Sequence, residues 1–173
     1  NGGAMMAAAD RITIHITGRG GHGAHPYQTV DVVLVAAHLI TAVQSIVARN
    51  ISPLDQGVVT VGAIHGGSAH NIIPDSVTLK GTIRAFKDEV MQTLCQRIRD
   101  IVQGVSAAMG VSAELRFAPV RTPATVNNPA MAEIVRGVAR ELVGADKLSG
   151  DHRTMGAEDC SYFLNAAPGA YVF

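Results

Sequence analysis

Apolar and polar residues alternate cleanly from Arg11 to Thr17, with Ile12, Ile14 and Ile16 on one side and Arg11, Thr13, His15 and Thr17 on the other. A period of two predicts a half-buried strand and puts His15 on its outer side. Over residues 28–49 the period becomes helical. Val30, Val33, Leu34, Ala37, Ile40 and Val47 recur at that spacing and are expected to face inward, with Asp31 in the first turn where the helix dipole favours an anion. Val32, Val35, Ala36 and Leu39 make the opposite side apolar as well. A helix apolar nearly all round is buried on more than one side, so this one is expected to lie at a subunit or interdomain interface.

Pro53 and Asp55 break the chain into a turn over 51–56, and a valine-rich strand follows over 57–64. Residues 77–86 form a third strand, with Val77, Leu79, Ile83 and Ala85 on one face and Thr78, Lys80, Thr82 and Arg84 on the other. Asp88 is the expected N-cap of a helix reaching Met109, with Val90, Leu94, Ile98, Ile101 and Val105 inward and Gly110 as its stop. Ala113, Leu115 and Phe117 alternate with Glu114 and Arg116 in a fourth strand.

The order strand-helix-strand-strand-helix-strand over residues 10–119 predicts an α+β, ferredoxin-like unit. Its four-stranded antiparallel sheet carries both helices on one face. Residues 1–9 are small and apolar without a period and read alone as a disordered end. Pro119 to Asn128 read as a linker, followed by a helix over 130–143 with Pro129 in its first turn. A loop over 149–159 is dense in ionisable groups; a short helix near 161–165 and a terminal apolar strand over 170–173 complete the chain.

Composition narrows the class. The 173 residues carry 47% hydrophobic and 16% charged residues at zero formal net charge. That balance gives no electrostatic case for nucleic acid or an anionic membrane. The densest apolar run, Val30 to Leu39, contains His38, and no membrane span is expected. Cys95 and Cys160 lack metal-ligand spacing and are expected as free thiols in a reducing cytoplasm. No secretory signal is visible, and position 1 is Asn rather than Met, which points to a segment from inside a longer chain.

Two loops stand out chemically. Gly18-Arg19-Gly20-Gly21-His22-Gly23-Ala24-His25-Pro26 places four glycines and a proline in nine positions around two histidines. So much backbone freedom permits a tight loop that presents imidazole. The second loop is Gly66-Gly67-Ser68-Ala69-His70-Asn71-Ile72-Ile73-Pro74-Asp75, which runs into the strand carrying Arg84. On residues alone, a solvated sheet-face arginine is the favoured reading of Arg84 and a turn residue before Pro74 that of Asn71, while loop structure is the simpler explanation of His25 and His65.

Together with Met5-Met6-Ala7-Ala8-Ala9-Asp10, Gly81-Thr82-Ile83-Arg84 and Gly156-Ala157-Glu158-Asp159, these loops resemble the middle of the aminoacylase-type zinc amidohydrolase and carboxypeptidase family, near its hippurate hydrolase group. The resemblance implies a lid and dimerisation domain over residues 10–119. Residues 1–9 would be a remnant or linker of a catalytic domain, and residues 120–173 a partial return into that α/β domain. It implies a homodimer acting on N-acyl amino acids of hippurate type. A divalent metal, zinc, would be held in the full-length enzyme and none by this segment. It implies that His22 is catalytic, stabilising an oxyanion in the partner's site, and that Asn71 and Arg84 bind the substrate carboxylate. His70 stands where an aromatic or aliphatic side chain is implied. Glu158-Asp159 resembles a later acidic motif and is not assigned as a ligand. The segment alone is expected to be inactive. A non-catalytic dimerisation or small-molecule-binding module, and a small-molecule-sensing regulatory domain, are the alternatives this element order also suits.

Overall fold

A computed structural model describes residues 2–150 and 152–173; Asp151, in the ionisable loop, lies outside the described residues. The central sheet has the order β4 (Gly57–Gly66), β6 (Ser76–Ala85), β2 (Ala8–Thr17), β7 (Ser112–Phe117), and every pairing in it is antiparallel. Ile12, Ile14 and Ile16 lie opposite Gly81, Leu79 and Val77 on one face. There they join α1 (Val32–Asn50) and α2 (Asp88–Met109) in a single buried cluster. Burying an isoleucine or leucine side chain fully stabilises by about 1.5–3 kcal/mol, so this two-layer core dominates the fold's energetics. The ferredoxin-like arrangement expected from the element order is the one observed.

Local chemistry explains the helix ends. Asp31 is the N-cap of α1 rather than a first-turn residue, its Oδ1 accepting from the Val33 and Leu34 N–H groups at 2.9 and 3.1 Å. α2 departs from expectation, because Lys87 occupies the cap without a side-chain bond to the helix backbone while Asp88 and Glu89 sit in the first turn. Both carboxylates still complement the helix dipole there. Gly110 closes α2 with φ of 70°, its N–H bonded to the Ser106 carbonyl.

The phase of α1 corrects the sequence reading. Val32, Val35, Ala36, Leu39, Val43 and Ile46 are buried, whereas Val33, Leu34 and Ala37, expected inside, are exposed. Both sets have helical spacing, so periodicity alone could not choose between them. By length and composition α1 also satisfies the requirement for a membrane span, which the sequence reading did not expect. In this fold one side of it, Val32, Val35, Ala36, Leu39, Val43 and Ile46, goes into the sheet core instead.

Residues 2–9 are likewise not a disordered end. β1 (Gly3–Met6) pairs antiparallel with β8 (Thr125–Asn127), inside the stretch expected to be linker. Ala7 N–H donates to the Gly156 carbonyl at 2.9 Å. β8 leads into α3 (Pro129–Val143), which Asn128 caps by accepting from Ala130 and Met131 N–H. α4 (Cys160–Ala166) follows, and residues 170–173 are not a strand. Tyr171 is tied instead to the Asn127 side chain, which accepts from Tyr171 N–H at 2.8 Å and donates to its carbonyl at 2.9 Å.

Candidate functional site

The two special loops fold against each other. β3 (Gly21–His22) and β5 (Ile72–Ile73) form a short antiparallel ribbon with His22 opposite Ile72. Gly18 N–H donates to the Asp75 carbonyl at 2.9 Å and Gly23 N–H to the Asn71 carbonyl at 2.8 Å. Asp75 also accepts from Gly20 N–H through Oδ1 at 2.8 Å. Close approach explains the glycine at position 20, since a Cβ there would lie 2.4 Å from the Ile73 carbonyl oxygen. Asp75 was not singled out in the sequence as a site-building residue. Its position at the end of the second motif was the available signal, and its partners were not.

His22 is exposed, and its Nδ1 accepts from the Ala24 N–H at 3.1 Å. That bond leaves the proton of a neutral ring on Nε2, which is then a free donor. His25 stacks edge-on at 5.9 Å between ring centroids. Asn71 is exposed one residue before β5, so the ribbon brings His22 and Asn71 together. His70 lines an open groove of ≈ 490 Å³ with Asp31, Val33 and Gly66–Ala69.

Arg84 sits elsewhere. It lies on the helix-free face of β6, between Ala9 of β2 and Val58 of β4. It makes no hydrogen bond or ion pair with a described residue. Eight residues separate it from Ser76 at the loop end of β6, a span of about 26 Å at 3.3 Å per residue. Within one chain, then, His22 and Asn71 occupy one end of the sheet and Arg84 the other. β4, an edge strand, runs between these ends, from Gly57 opposite Ala85 to Gly66 opposite Val77.

His15 projects onto the outer face, its Nδ1 3.0 Å from Thr78 Oγ1, and His65 pairs with the same Thr78 from the other side. Glu158 is engaged by the Asp159 N–H at 3.0 Å and the Tyr171 hydroxyl at 3.5 Å. Burial first, and then Glu158, raises the Tyr171 phenol above its ordinary pKa. Among the described residues no three His, Cys, Asp or Glu side chains converge where they could hold a metal ion.

Residues 8–109 match the peptidase dimerisation domain of the M20 family, more than half of the chain. The chain belongs to the M20 peptidase family. This M20 chain is 38% identical over 172 residues to hippurate hydrolase of Campylobacter jejuni, covering 99% of the chain and 45% of that protein. It is 37% identical over 171 residues to N-acetyl-L-cysteine deacetylase of Bacillus subtilis, covering 99% and 40%. Thermostable carboxypeptidase 1 of Saccharolobus solfataricus is 34% identical over 171 residues, covering 99% and 43%. Among solved structures, a dinuclear metal-binding M20 peptidase of Bacillus subtilis superposes with a TM-score of 0.74 at 24% identity, over 98% of this chain and 41% of that one. The M20 chain thus spans less than half the length of these relatives.

Proposed function

We propose that this chain is the dimerisation part of a metal-dependent amidohydrolase that cleaves the amide bond of N-acyl amino acids. The supporting observation is the separation of His22 and Asn71 from Arg84 at opposite ends of one sheet. A twofold axis alongside edge strand β4 runs it antiparallel to its copy. The loop end of one subunit then lies beside the Arg84 end of the other, and a site built on both subunits contains all three groups. Two such sites arise per dimer. The exposed Val33 beside Gly66 supplies apolar surface on the same flank.

Amide hydrolysis builds negative charge on the carbonyl oxygen. The Nε2–H of His22 donates to that oxygen, an interaction that strengthens as the charge develops. Arg84 meets the substrate carboxylate with paired, planar donors, and the Asn71 amide adds a neutral donor. The metal, zinc in this reading, polarises the carbonyl when bound. Among the described residues no group of His, Cys, Asp or Glu side chains could hold it.

The test uses the full-length protein with N-benzoylglycine and its carboxamide. Hydrolysis of the acid should exceed that of the amide, and Arg84→Gln should erase most of that preference by raising KM for the acid. Equal effects of Arg84→Gln on acid and amide would reject the carboxylate role.

A further inference from the structure

Among the described residues Leu54 is the most exposed large hydrophobic, at 86%. It stands on the turn between α1 and β4, and that turn is firmly held. Asp55 N–H donates to the Ser52 carbonyl at 2.9 Å, with Pro53 pre-setting the backbone in between. Leu54 N–H donates to the Ser52 hydroxyl at 3.3 Å, and the Lys87 ammonium pairs with Asp55 at 2.6 Å. Asp55 is thereby compensated, so the turn presents an apolar tip without a free charge. The open groove of ≈ 490 Å³ lies at the other end of β4, with Val33 and Ile72, each 45% exposed, as its apolar walls. Within one chain the two features cannot meet, because the ten residues of β4 hold them about 33 Å apart at 3.3 Å per residue.

A twofold axis beside the middle of β4 exchanges the ends of the strand. Gly57 then comes opposite Gly66 of the partner subunit. Leu54, three residues before Gly57, comes level with Ala69 of the partner subunit, three residues after Gly66. α1 supports the match, since its first turn lines the groove and its last turn leads into the turn of Leu54. We propose that Leu54 of each subunit seats in the groove of the other and steadies the loop that builds the shared site. This rests on the reading of β4 as the dimer edge. The groove loop carries Asn71, whose carbonyl accepts from Gly23 N–H at 2.8 Å, and Ile72, which lies opposite His22 in the β3–β5 ribbon. A side chain packed on this loop from across the interface therefore restrains both donors. Leu54 is a positioning residue supplied in trans, and each site combines Leu54 and Arg84 of one subunit with the loop of the other.

The test uses the full-length protein carrying Leu54→Cys and Ala69→Cys together. A short bismaleimide should convert the dimer into a covalent one on a denaturing gel, whereas the wild type and either single variant should stay uncoupled. Separately, Leu54→Asp should raise the dimer dissociation constant by about tenfold or more, the scale of losing one buried anchor. At protein concentrations that keep this variant dimeric, kcat for N-benzoylglycine should fall, because catalytic donors displaced by about 1 Å lose rate steeply. The preference for the acid over the carboxamide, set by Arg84, should survive, and Leu54→Met should recover both the dimer and kcat. A dimer that does not cross-link, or a dissociation constant unmoved by Leu54→Asp, overturns the seat while leaving the β4 dimer and the amidohydrolase reading intact. An unchanged kcat in the assembled Leu54→Asp dimer overturns the positioning role. A wild-type protein that is monomeric at micromolar concentration sinks the seat and the shared site together.

Discussion

Asp10 and Arg121 join the first strand of the central sheet to the segment that leaves its last strand. The Asp10 side chain is 3% exposed, and its Oδ2 accepts from Arg121 Nε at 3.2 Å. Its Oδ1 accepts from the Arg11 and Ala118 N–H groups at 2.8 and 3.3 Å. Alongside, Ala9 and Thr122 exchange backbone bonds of 2.9 and 3.0 Å, and the Tyr162 hydroxyl donates to the Arg121 carbonyl at 2.9 Å. A carboxylate so shielded needs its cation, because removing one partner leaves the other's charge uncompensated. Arg121→Ala should lower stability by roughly 1–3 kcal/mol, the cost of an orphaned buried acceptor. Urea denaturation read by circular dichroism measures it, and an unchanged midpoint would contradict the clamp.

The outward side of α1 is expected to be covered by a second subunit. Val33 and Leu34 are 45% and 50% exposed, on the helix that packs beside edge strand β4. Leu34→Asp places a charge on that face without touching the buried one, and should shift the full-length protein from dimer to monomer. Light scattering at micromolar concentration reads the mass. A variant that remains dimeric would remove α1 from the interface.

The phase of α1 shows where sequence reading stops. Alternation in β2 and the polar face of β6 could be read directly, because one side of each strand meets water and the other does not. α1 is apolar on both sides, so its period predicted a helix and could not say which side met the sheet. β1 escaped notice because its partner, β8, lies about 120 residues away and a four-residue strand has no period of its own. His22, Asn71 and Arg84 were legible as motif residues, yet nothing local to any of them reveals that the sheet's length holds Arg84 apart from the other two. Asp75 was legible only as a loop acid, since its task depends on the Gly20 N–H, 55 positions away in the chain.

Cys95 should resist alkylation in the folded protein. It is buried, and desolvation raises its thiol pKa, with Arg121, which donates to Sγ at 3.6 Å, opposing the shift. The reactive thiolate is therefore scarce at pH 8 as well as inaccessible. Iodoacetamide labelling followed by peptide mass mapping should find Cys95 modified only after denaturation. Rapid native labelling at Cys95 would contradict this packing.

The shared-site account is tested most directly by subunit complementation. In the full-length protein, His22→Ala should lower kcat by about a hundredfold or more, the scale of losing one oxyanion donor, and Arg84→Ala should cripple turnover of free-carboxylate substrates. Each homodimer then lacks one group in both of its sites. In a heterodimer with subunits arranged about β4, one site loses both groups and the other keeps both. Mixing the two variants under conditions where subunit exchange is shown by mass should therefore restore hydrolysis of N-benzoylglycine, towards one working site per heterodimer. If exchange occurs and activity stays at the level of the parent variants, His22 and Arg84 serve the same subunit's site, and the account is wrong.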